Sequence, residues 1–248
     1  MAELKWLVIS LPSSLDRRDY INELSRSTRI NCEIMDAFLP ESIPEVWRRL
    51  FFDSNNQPLA ELTSGERACY ASHLAAMQKA ITLDMPILVT EDDVRFNVSP
   101  DFLIELIERL PSDWEFIRLS GVLKSRAISA RFAAGYKLVE PFRIPNGMVA
   151  YLVSPSGADK FIRYSEARYR AIDEDLRRVW EHGAVNYVLD PLVAGENPGF
   201  QSDIDKQGNR RNLPERKRKR AATYPGEQYL SRMKWHIQRL CSRMKADV

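Results

Sequence analysis

Three adjacent acidic residues follow a short apolar run near the middle of the sequence. Residues 87–90, Ile-Leu-Val-Thr, predict a buried central strand, and Glu91, Asp92 and Asp93 come directly after it. In open α/β sheets ligands bind beyond the carboxyl ends of the strands, where these carboxylates would lie. In an extended chain Glu91 and Asp93 point to one side and Asp92 to the other. Two carboxylates on one side suit Mg²⁺ or Mn²⁺ together with a nucleotide diphosphate, whereas the alternative is a solvated acidic turn.

A second acidic cluster consists of Asp173, Glu174 and Asp175, at the start of a helix predicted to run through Trp180. Carboxylates in a first helical turn interact favourably with the helix dipole, so a purely structural role is one interpretation. The functional interpretation is a general base, or a carboxylate that orients an acceptor hydroxyl, within reach of the first cluster. Both interpretations stay open.

Glu66 and His73 lie seven positions apart, two helical turns, on the helix that the sequence predicts most strongly. Thr63 and Glu66 have the spacing of a capping box, and apolar residues then recur at helical intervals from Tyr70 to Ile81. A lone histidine on such a face is often a satisfied core residue. Beside Glu66, His73 could instead contact a nucleotide or orient a metal ligand.

The remaining elements alternate in a way that would position these residues. A strand at 5–11, a helix at 14–26 and a strand at 30–37 predict a parallel α/β sheet. Further predicted elements are a short helix at 45–52, a helix at 99–110 with Pro100 at its first position, strands at 114–120 and 148–153, and a capped helix from Ser154 and Pro155. Residues 124–136 and 196–212 are interpreted as loops that determine specificity.

Composition limits the possible classes of protein. The chain has 248 residues, 44% of them hydrophobic and 28% charged, which excludes disordered, collagen-like and disulfide-scaffold classes. No run approaches the roughly 20 apolar residues of a membrane span, and no basic region precedes the short apolar stretch of a would-be signal peptide. Cys32, Cys69 and Cys241 lack metal-site spacing and indicate reduced thiols in the cytoplasm. Phosphate-loop, dinucleotide, serine-hydrolase and zinc-protease motifs are absent from the sequence.

Charge is distributed unevenly along the chain. Residues 206–248 contain 13 Lys or Arg against three Asp or Glu, whereas the first 205 residues contain 23 against 31. The tail has a basic run at 216–220, followed by apolar residues near helical spacing: Tyr229, Met233, Ile237, Leu240 and Met244. This pattern predicts a basic amphipathic helix on an anionic membrane surface. The alternatives are nucleic-acid binding and a solvated tail whose helix packs on the body. We therefore divide the chain at 1–205 and 206–248.

Six segments occur in an order that resembles glycosyltransferase family 25. They are residues 8–11 with 16–18, then 36–37, 62–73, 87–94, 147–154 and 172–176. The family contains bacterial lipooligosaccharide galactosyltransferases and the related collagen galactosyltransferases. The resemblance covers the chain to about residue 205. It implies a GT-A fold, a Rossmann-like α/β domain with a central, mostly parallel sheet, here followed by a basic helical C-terminal tail.

The same resemblance implies a function and a set of site residues. It implies transfer of a hexose, typically from UDP-galactose, with Mn²⁺ or Mg²⁺ and inversion, onto a lipooligosaccharide, lipopolysaccharide or other glycan. Its acidic metal motif matches residues 91–93, although this chain has Glu91 where the family has Asp. The implied roles are metal binding for Asp93 and Glu91, donor binding for Glu66, His73, Asp92 and Ser10, and catalysis for Asp173, Asp175 and Glu174. From the chemistry of the transfer we assign the base to Asp173, with Asp175 as the alternate.

The expected partners are a UDP-hexose, a glycolipid or oligosaccharide acceptor, and an anionic membrane surface contacted by the tail. The expected location is the cytoplasm, peripheral on the inner face of the plasma membrane. Two other classes remain. One is a catalytically silent protein of the same fold that binds nucleotide sugars or glycans, and the other is a protein that uses its tail to bind nucleic acid.

Overall fold

The computed structural model describes residues 3–200 and 225–246. The basic run at 216–220 and the last part of the loop predicted at 196–212 lie outside the described residues.

The N-terminal half builds three parallel strands. Strand β1 (Lys5–Ser10) is followed by helix α1 (Leu15–Arg26) and strand β2 (Asn31–Asp36), which pairs with β1 in parallel. Strand β3 (Ile87–Glu91) pairs in parallel with the other side of β1. The predicted strand, helix and strand are confirmed, and residues 10 and 91 come to the same edge of the sheet because these strands point the same way.

The C-terminal half extends the sheet to eight strands, in the order β2-β1-β3-β8-β5-β9-β7-β6. Strand β8 (Ala150–Val153) is antiparallel to both β3 and β5 (Phe116–Arg118), while β9 (Asn186–Asp190) is parallel to β5. Only β8 and β7 run against the other six strands. The α/β fold class with a central, mostly parallel sheet is therefore confirmed.

The loop predicted at 124–136 is wrong, because most of this segment is a strand. Strand β6 (Ala127–Ala133) forms a hairpin with β7 (Tyr136–Pro141) at one edge of the sheet. Ala134 and Gly135, both with positive φ, make the two-residue turn that suits the twist of a hairpin.

Helices cover both faces of the sheet. Helix α3 (Ser64–Leu83) packs on one face with α2 (Glu45–Arg48), α5 (Pro155–Arg163), α6 (Ile172–Leu176) and α7 (Val179–His182). Helices α1 and α4 (Phe102–Glu108) pack on the other face. Side chains alternate accordingly along β3, since Ile87 and Val89 join the first core and Leu88 joins the second. A residue's parity on its strand thus decides which set of helices it meets.

Three predicted helices differ in extent from the observed ones. The helix predicted at 45–52 ends at Arg48. The helix predicted at 99–110 spans Phe102–Glu108, so Pro100 precedes it, and the Asp101 carboxylate accepts from the Arg29 amide instead of capping the helix. The helix predicted through Trp180 is divided into α6 and α7, because Arg178 leaves the helical backbone region.

The tail contains the predicted helix, α8 (Pro225–Ala246). Its polar side contacts the body, where Arg239 Nη2 donates to Asp113 Oδ2 at 2.9 Å and His236 lies 3.6 Å from Glu140. Leu230, Met233, Ile237 and Leu240 are exposed, with Leu230 at 66% and Ile237 at 54%. The helix therefore packs on the body with its apolar side outward. Among the described helices none is both long and apolar enough to cross a membrane.

Candidate active site

A cleft opens at the carboxyl ends of β1 and β3, on the side of α3. One part of its wall is apolar, from Ile9 and from the loop after β2 that carries Phe38. Ser72 on α3 holds this loop, since its hydroxyl accepts from the Phe38 amide at 2.9 Å. The other part is polar and contains Arg17, Cys69, His73, Glu91, Asp92 and Asp93. The first acidic cluster thus lies in a cleft that also offers an apolar surface.

Both carboxylate oxygens of Asp92 accept hydrogen bonds from other residues. Its Oδ2 accepts from Ser10 Oγ at 2.7 Å, and its Oδ1 accepts from Arg17 Nη1 at 2.7 Å. All three side chains are buried, so the ion pair is shielded from water. Ser10 and Asp92, both predicted as donor-binding residues, are brought together by adjacent strands, and they fix the turn that follows β3.

Asp93 is buried without such partners. Its side chain is in the buried class, and among the described residues none bonds its Oδ1. Burial and the neighbouring charge of Glu91 raise the pKa of Asp93 to about 7, against the opposing charge of Arg17. The antiparallel pair β4 (Val94–Phe96) and β10 (Ala194–Glu196) fixes the backbone beside it. An unpaired buried carboxylate near a second one is the arrangement that a divalent cation compensates.

Glu91 meets His73 across the cleft, as the parity of β3 requires. His73 Nε2 lies 3.6 Å from Glu91 Oε1, and His73 Nδ1 lies 3.1 Å from the Tyr151 hydroxyl. Ligand atoms of Cys69, His73 and Glu91 all lie within 4.8 Å of one another. These residues fit a cation in the same cleft wall as Asp93, although a thiol favours softer ions than Mg²⁺.

Glu66 has a local role that its sequence spacing also predicts. Its Oε2 accepts from the Thr63 amide at 2.8 Å, and its own amide donates to Thr63 Oγ1 at 3.1 Å, which completes the predicted capping box. The neighbouring Gly65 lines the cleft, but Glu66 is not among the lining residues described. Its assignment to donor binding stays a prediction, whereas its role in starting α3 is confirmed.

In the second acidic cluster, too, one carboxylate is bonded within the fold and the others are more exposed. Asp175 is buried, accepts from the Tyr70 hydroxyl at 2.9 Å and forms an ion pair with Arg170. Asp173 and Glu174 are only half-buried. The contacts of Asp175 argue against a role as the base and favour Asp173.

Arg118 is a buried cation on which charges of both acidic clusters act, and the sequence did not predict it. It ends β5, is fully buried, and pairs in register with Tyr151. Among the described residues none bonds its Nε or Nη2, while its Nη1 contacts Met148 Sδ at 3.0 Å. Burial lowers the pKa of Arg118 to about 10, and the charges of Asp173, Tyr151 and Glu91 oppose this. Strand β5 has only three residues, too few to show a sequence pattern from which a buried arginine could be predicted.

The fold and the cleft together define an α/β protein with an acidic site at the carboxyl end of its sheet. The sequence matches the family described as "Glycosyltransferase family 25 (LPS biosynthesis protein)" over residues 3–176. The chain belongs to this family. The GT-A-type α/β fold that the resemblance implies agrees with the mixed, mostly parallel sheet.

Individual relatives match shorter segments. The lipooligosaccharide biosynthesis protein lic2B of Haemophilus influenzae is 37% identical over 100 residues, 40% of this chain and 37% of that protein. The lacto-N-neotetraose biosynthesis glycosyltransferase LgtE of Neisseria gonorrhoeae is 34% identical over 116 residues, 44% of this chain and 41% of that protein. The matches thus span less than half the length of these two relatives.

A solved structure is also similar at low identity. It is a variant of the Drosophila β-1,4-galactosyltransferase 7 in complex with manganese, UDP-Gal and xylobiose. The similarity has a TM-score of 0.45 and 7% sequence identity, and it covers 88% of this chain and 79% of that one. At this level it supports no argument about the site.

Proposed function

We propose that the protein is a metal-dependent, inverting glycosyltransferase that moves a hexose, galactose from UDP-galactose in our assignment, onto a lipooligosaccharide, lipopolysaccharide or related glycan. The observation that carries the proposal is the buried Asp93 carboxylate beside Glu91 in the cleft, whose Oδ1 is bonded by none of the described residues. Membership of family 25 supports the reaction class.

Asp93 and Glu91 would hold the ion, with Mn²⁺ or Mg²⁺ as candidates. When bound, such an ion stabilises the negative charge that develops on a departing diphosphate. Asp92 keeps the turn of Asp93 in position, since Ser10 and Arg17 occupy both of its oxygens. Because this turn is held by buried contacts, Asp93 needs little reorganisation when a cation enters.

The nucleotide would occupy the part of the cleft opposite the acidic wall. Ile9 and Phe38 supply an apolar surface for a base, and His73 and Glu91 face the same space. We assign four residues to donor binding: Ser10, Asp92, Glu66 and His73. They would act either by contacting the donor or by fixing the strand, turn or helix that contacts it.

Asp173 would act as the base on the acceptor side. The acceptor oxygen forms a bond to the anomeric carbon as the bond from that carbon to the diphosphate oxygen breaks. The hydroxyl proton passes to Asp173, and the diphosphate leaves with the electron pair. Arg118 is fully buried and the charges of both Asp173 and Glu91 act on it, so its positive charge would lie close to both carboxylates of the proposal.

Binding of UDP with Mn²⁺ tests the proposal. Calorimetry on the full chain is expected to give Mn²⁺-dependent UDP binding that Asp93→Asn weakens by at least about tenfold, since one of two anionic ligands is lost. The matched control is Asp159→Asn, which alters a partly exposed ion pair with Arg163 on α5. UDP binding that is independent of Mn²⁺ and of Asp93 would contradict the metal role.

Donor hydrolysis separates an enzyme from a silent binding protein. Release of UDP from UDP-galactose, UDP-glucose and UDP-N-acetylglucosamine in the presence of Mn²⁺ is expected to be fastest for UDP-galactose. Binding of all three donors without any UDP release, including after addition of a lipooligosaccharide acceptor, would favour the silent alternative.

The outward apolar side of α8 supports peripheral binding to an anionic membrane on the cytoplasmic side. Leu230, Met233 and Ile237 are exposed on a helix that follows the basic run at 216–220. Apolar insertion and basic attraction together are what interfacial helices use.

Vesicle cosedimentation tests this placement. Met233→Ser with Ile237→Ser is expected to reduce binding to phosphatidylglycerol vesicles by about tenfold, while Val122→Ser, at an exposed valine elsewhere, leaves it unchanged. Equal binding of both variants would contradict the membrane role of α8. Competition of vesicle binding by DNA at equal charge would favour the nucleic-acid alternative.

A further inference from the structure

A group of arginines surrounds the site where α8 meets α7. The Arg232 guanidinium lies 4.9 Å from the ring centroid of Trp180 and 5.4 Å from that of Phe142. Arg178 lies 5.8 Å from the same Trp180 ring. Two guanidinium groups thus share one indole ring.

Two more arginines join this group through the segment that follows β7. Arg177 Nε donates to the Ile144 carbonyl at 2.9 Å, and the exposed Arg143 lies between Phe142 and Ile144 in the chain. We name Arg143, Arg177, Arg178 and Arg232 the arginine cluster.

Among the described residues, few carboxylates form ion pairs with the arginine cluster. Glu181 bonds Arg178 at 2.6 Å but is shared with Arg170. In the described part of the chain no carboxylate forms an ion pair with Arg143 or Arg232. Burial, followed by repulsion from the other three arginines, lowers the pKa of Arg232 to about 10. Arg239 on the same helix differs, because it bonds Asp113.

The arginine cluster borders the second acidic cluster. Arg177 directly follows α6, and the charges of Asp173 and Glu174 act on it. An anion bound by the arginines would therefore lie next to the proposed base, away from the donor cleft at α3 and the loop after β2. Guanidinium groups bind phosphates and carboxylates with directed, charge-assisted hydrogen bonds.

We propose that the arginine cluster binds an anionic group, a phosphate or a carboxylate, carried by the acceptor glycan. This inference rests on the proposed function, because it is Asp173 that marks the acceptor side. It narrows the acceptor from any glycan to one with a negative charge near the hydroxyl that receives the hexose. The stacking of Arg178 and Arg232 on Trp180 holds two guanidinium groups ready for such a ligand.

Titration with a charged and a neutral sugar tests this proposal. The probes are glucose 6-phosphate and glucose, added to the full chain with UDP and Mn²⁺ present so that the donor cleft is filled. Protein NMR shift changes are expected to give an affinity for glucose 6-phosphate at least about tenfold higher than for glucose. Arg143→Gln with Arg232→Gln is expected to remove this preference, and Arg143→Lys with Arg232→Lys to retain part of it.

The control is Arg109→Gln, at an exposed arginine that pairs with Glu105 on α4. It loses the same kind of charge at another place and is expected to bind as the unmodified protein does. Should the double variant fail to fold, Arg143→Gln alone serves, since this side chain is exposed and is expected to lower the affinity severalfold. Equal affinity for both sugars, or unchanged affinity in a folded Arg143 and Arg232 variant, would overturn the proposal.

A vesicle arm distinguishes a glycan phosphate from a lipid headgroup. If the Arg143→Gln, Arg232→Gln variant loses glucose 6-phosphate binding but still binds phosphatidylglycerol vesicles as the unmodified protein does, the result would support an acceptor site. Loss of vesicle binding with unchanged glucose 6-phosphate binding would overturn it in favour of a membrane contact. Failure of UDP to bind at all would count against the proposed function and is measured separately in the same titration.

Discussion

Each of the two acidic clusters consists of two aspartates and one glutamate. In each cluster one aspartate is bonded by the fold and another is not. Asp92 is bound by Ser10 and Arg17, and Asp175 is bound by Tyr70 and Arg170. In the part of the chain that the structure describes, no residue bonds the buried Oδ1 of Asp93, and Asp173 is half-buried near Arg118. One residue of each cluster thus maintains the fold, and another is available for chemistry.

The clusters differ in what surrounds the available carboxylate. Asp93 sits among negative charges, from Glu91, Asp92 and Glu196, and burial adds to their effect. Asp173 sits near the positive charges of Arg118 and Arg177. A buried carboxylate among like charges attracts a cation, whereas a half-buried carboxylate beside arginines can accept a proton from an acceptor hydroxyl. This difference supports our proposal that the first cluster holds the metal and the second supplies the base.

The largest expected effect is on turnover. Asp173→Asn should reduce UDP release from UDP-galactose by about 10²- to 10⁴-fold, because general base catalysis is lost. Its UDP and Mn²⁺ affinity should stay unchanged. The measurement is steady-state UDP release together with calorimetric binding, and loss of UDP binding would move Asp173 to the donor side.

The structural carboxylates should affect stability instead. Asp92→Asn should lower the free energy of unfolding by about 3 kcal/mol, because it removes the charge that a buried arginine, Arg17, pairs with. Asp175→Asn should lower it by about 2 kcal/mol, because the half-buried Arg170 keeps its ion pair with Glu181. Asp173→Asn should change it by less than about 0.5 kcal/mol. Urea denaturation measures both quantities. Equal destabilisation by all three variants would remove the distinction within the second cluster.

The pKa of Asp93 predicts how pH affects the metal site. Because the pKa of Asp93 is raised to about 7, Mn²⁺ affinity should fall about fivefold between about pH 7 and pH 6, as protons compete for the carboxylate. Without metal, a raised folded-state pKa lowers stability as pH rises from about 4 to 7. Asp93→Asn should therefore be the more stable protein above about pH 7 and lose this advantage near pH 4. Parallel stability profiles for the two proteins would contradict the raised pKa.

The smallest effect should come from Glu91→Gln. Removal of one negative neighbour should lower the pKa of Asp93 and move the midpoint of the pH-dependent Mn²⁺ affinity below about pH 7, with severalfold weaker binding overall. The measurement is the same Mn²⁺ titration across pH. An unchanged midpoint would show that Glu91 does not act on Asp93.

Local sequence patterns predicted the elements that carry the site. The capping box of Thr63 and Glu66 started α3 where expected, and alternation along β3 placed Glu91 on the side of His73, whereas Asp92 and Asp93 lie in the turn that follows the strand. Both follow from short-range rules: helical spacing and strand alternation. The apolar run before Glu91 was long enough to identify the central strand.

Partners from distant segments decided the rest, and no local pattern reveals them. Arg17 lies 75 positions from Asp92, and Tyr70 lies 105 positions from Asp175, yet these contacts separate structural from available carboxylates. The segment predicted as a loop at 124–136 contains β6, whose pairing with β7 joins it to the edge of the sheet. In α8 the spacing predicted a helix, but the body binds its polar side through Arg239 and leaves Ile237 exposed.

Anomalous diffraction from crystals soaked with Mn²⁺ and UDP tests the central claim most directly. We predict a manganese peak about 2.0–2.3 Å from an Asp93 carboxylate oxygen, bridged to the diphosphate of UDP, with Asp92 still bound to Arg17. A manganese ion bound at the second acidic cluster, or UDP seated in the cleft with Asp93 untouched, would contradict the assignment of the metal site.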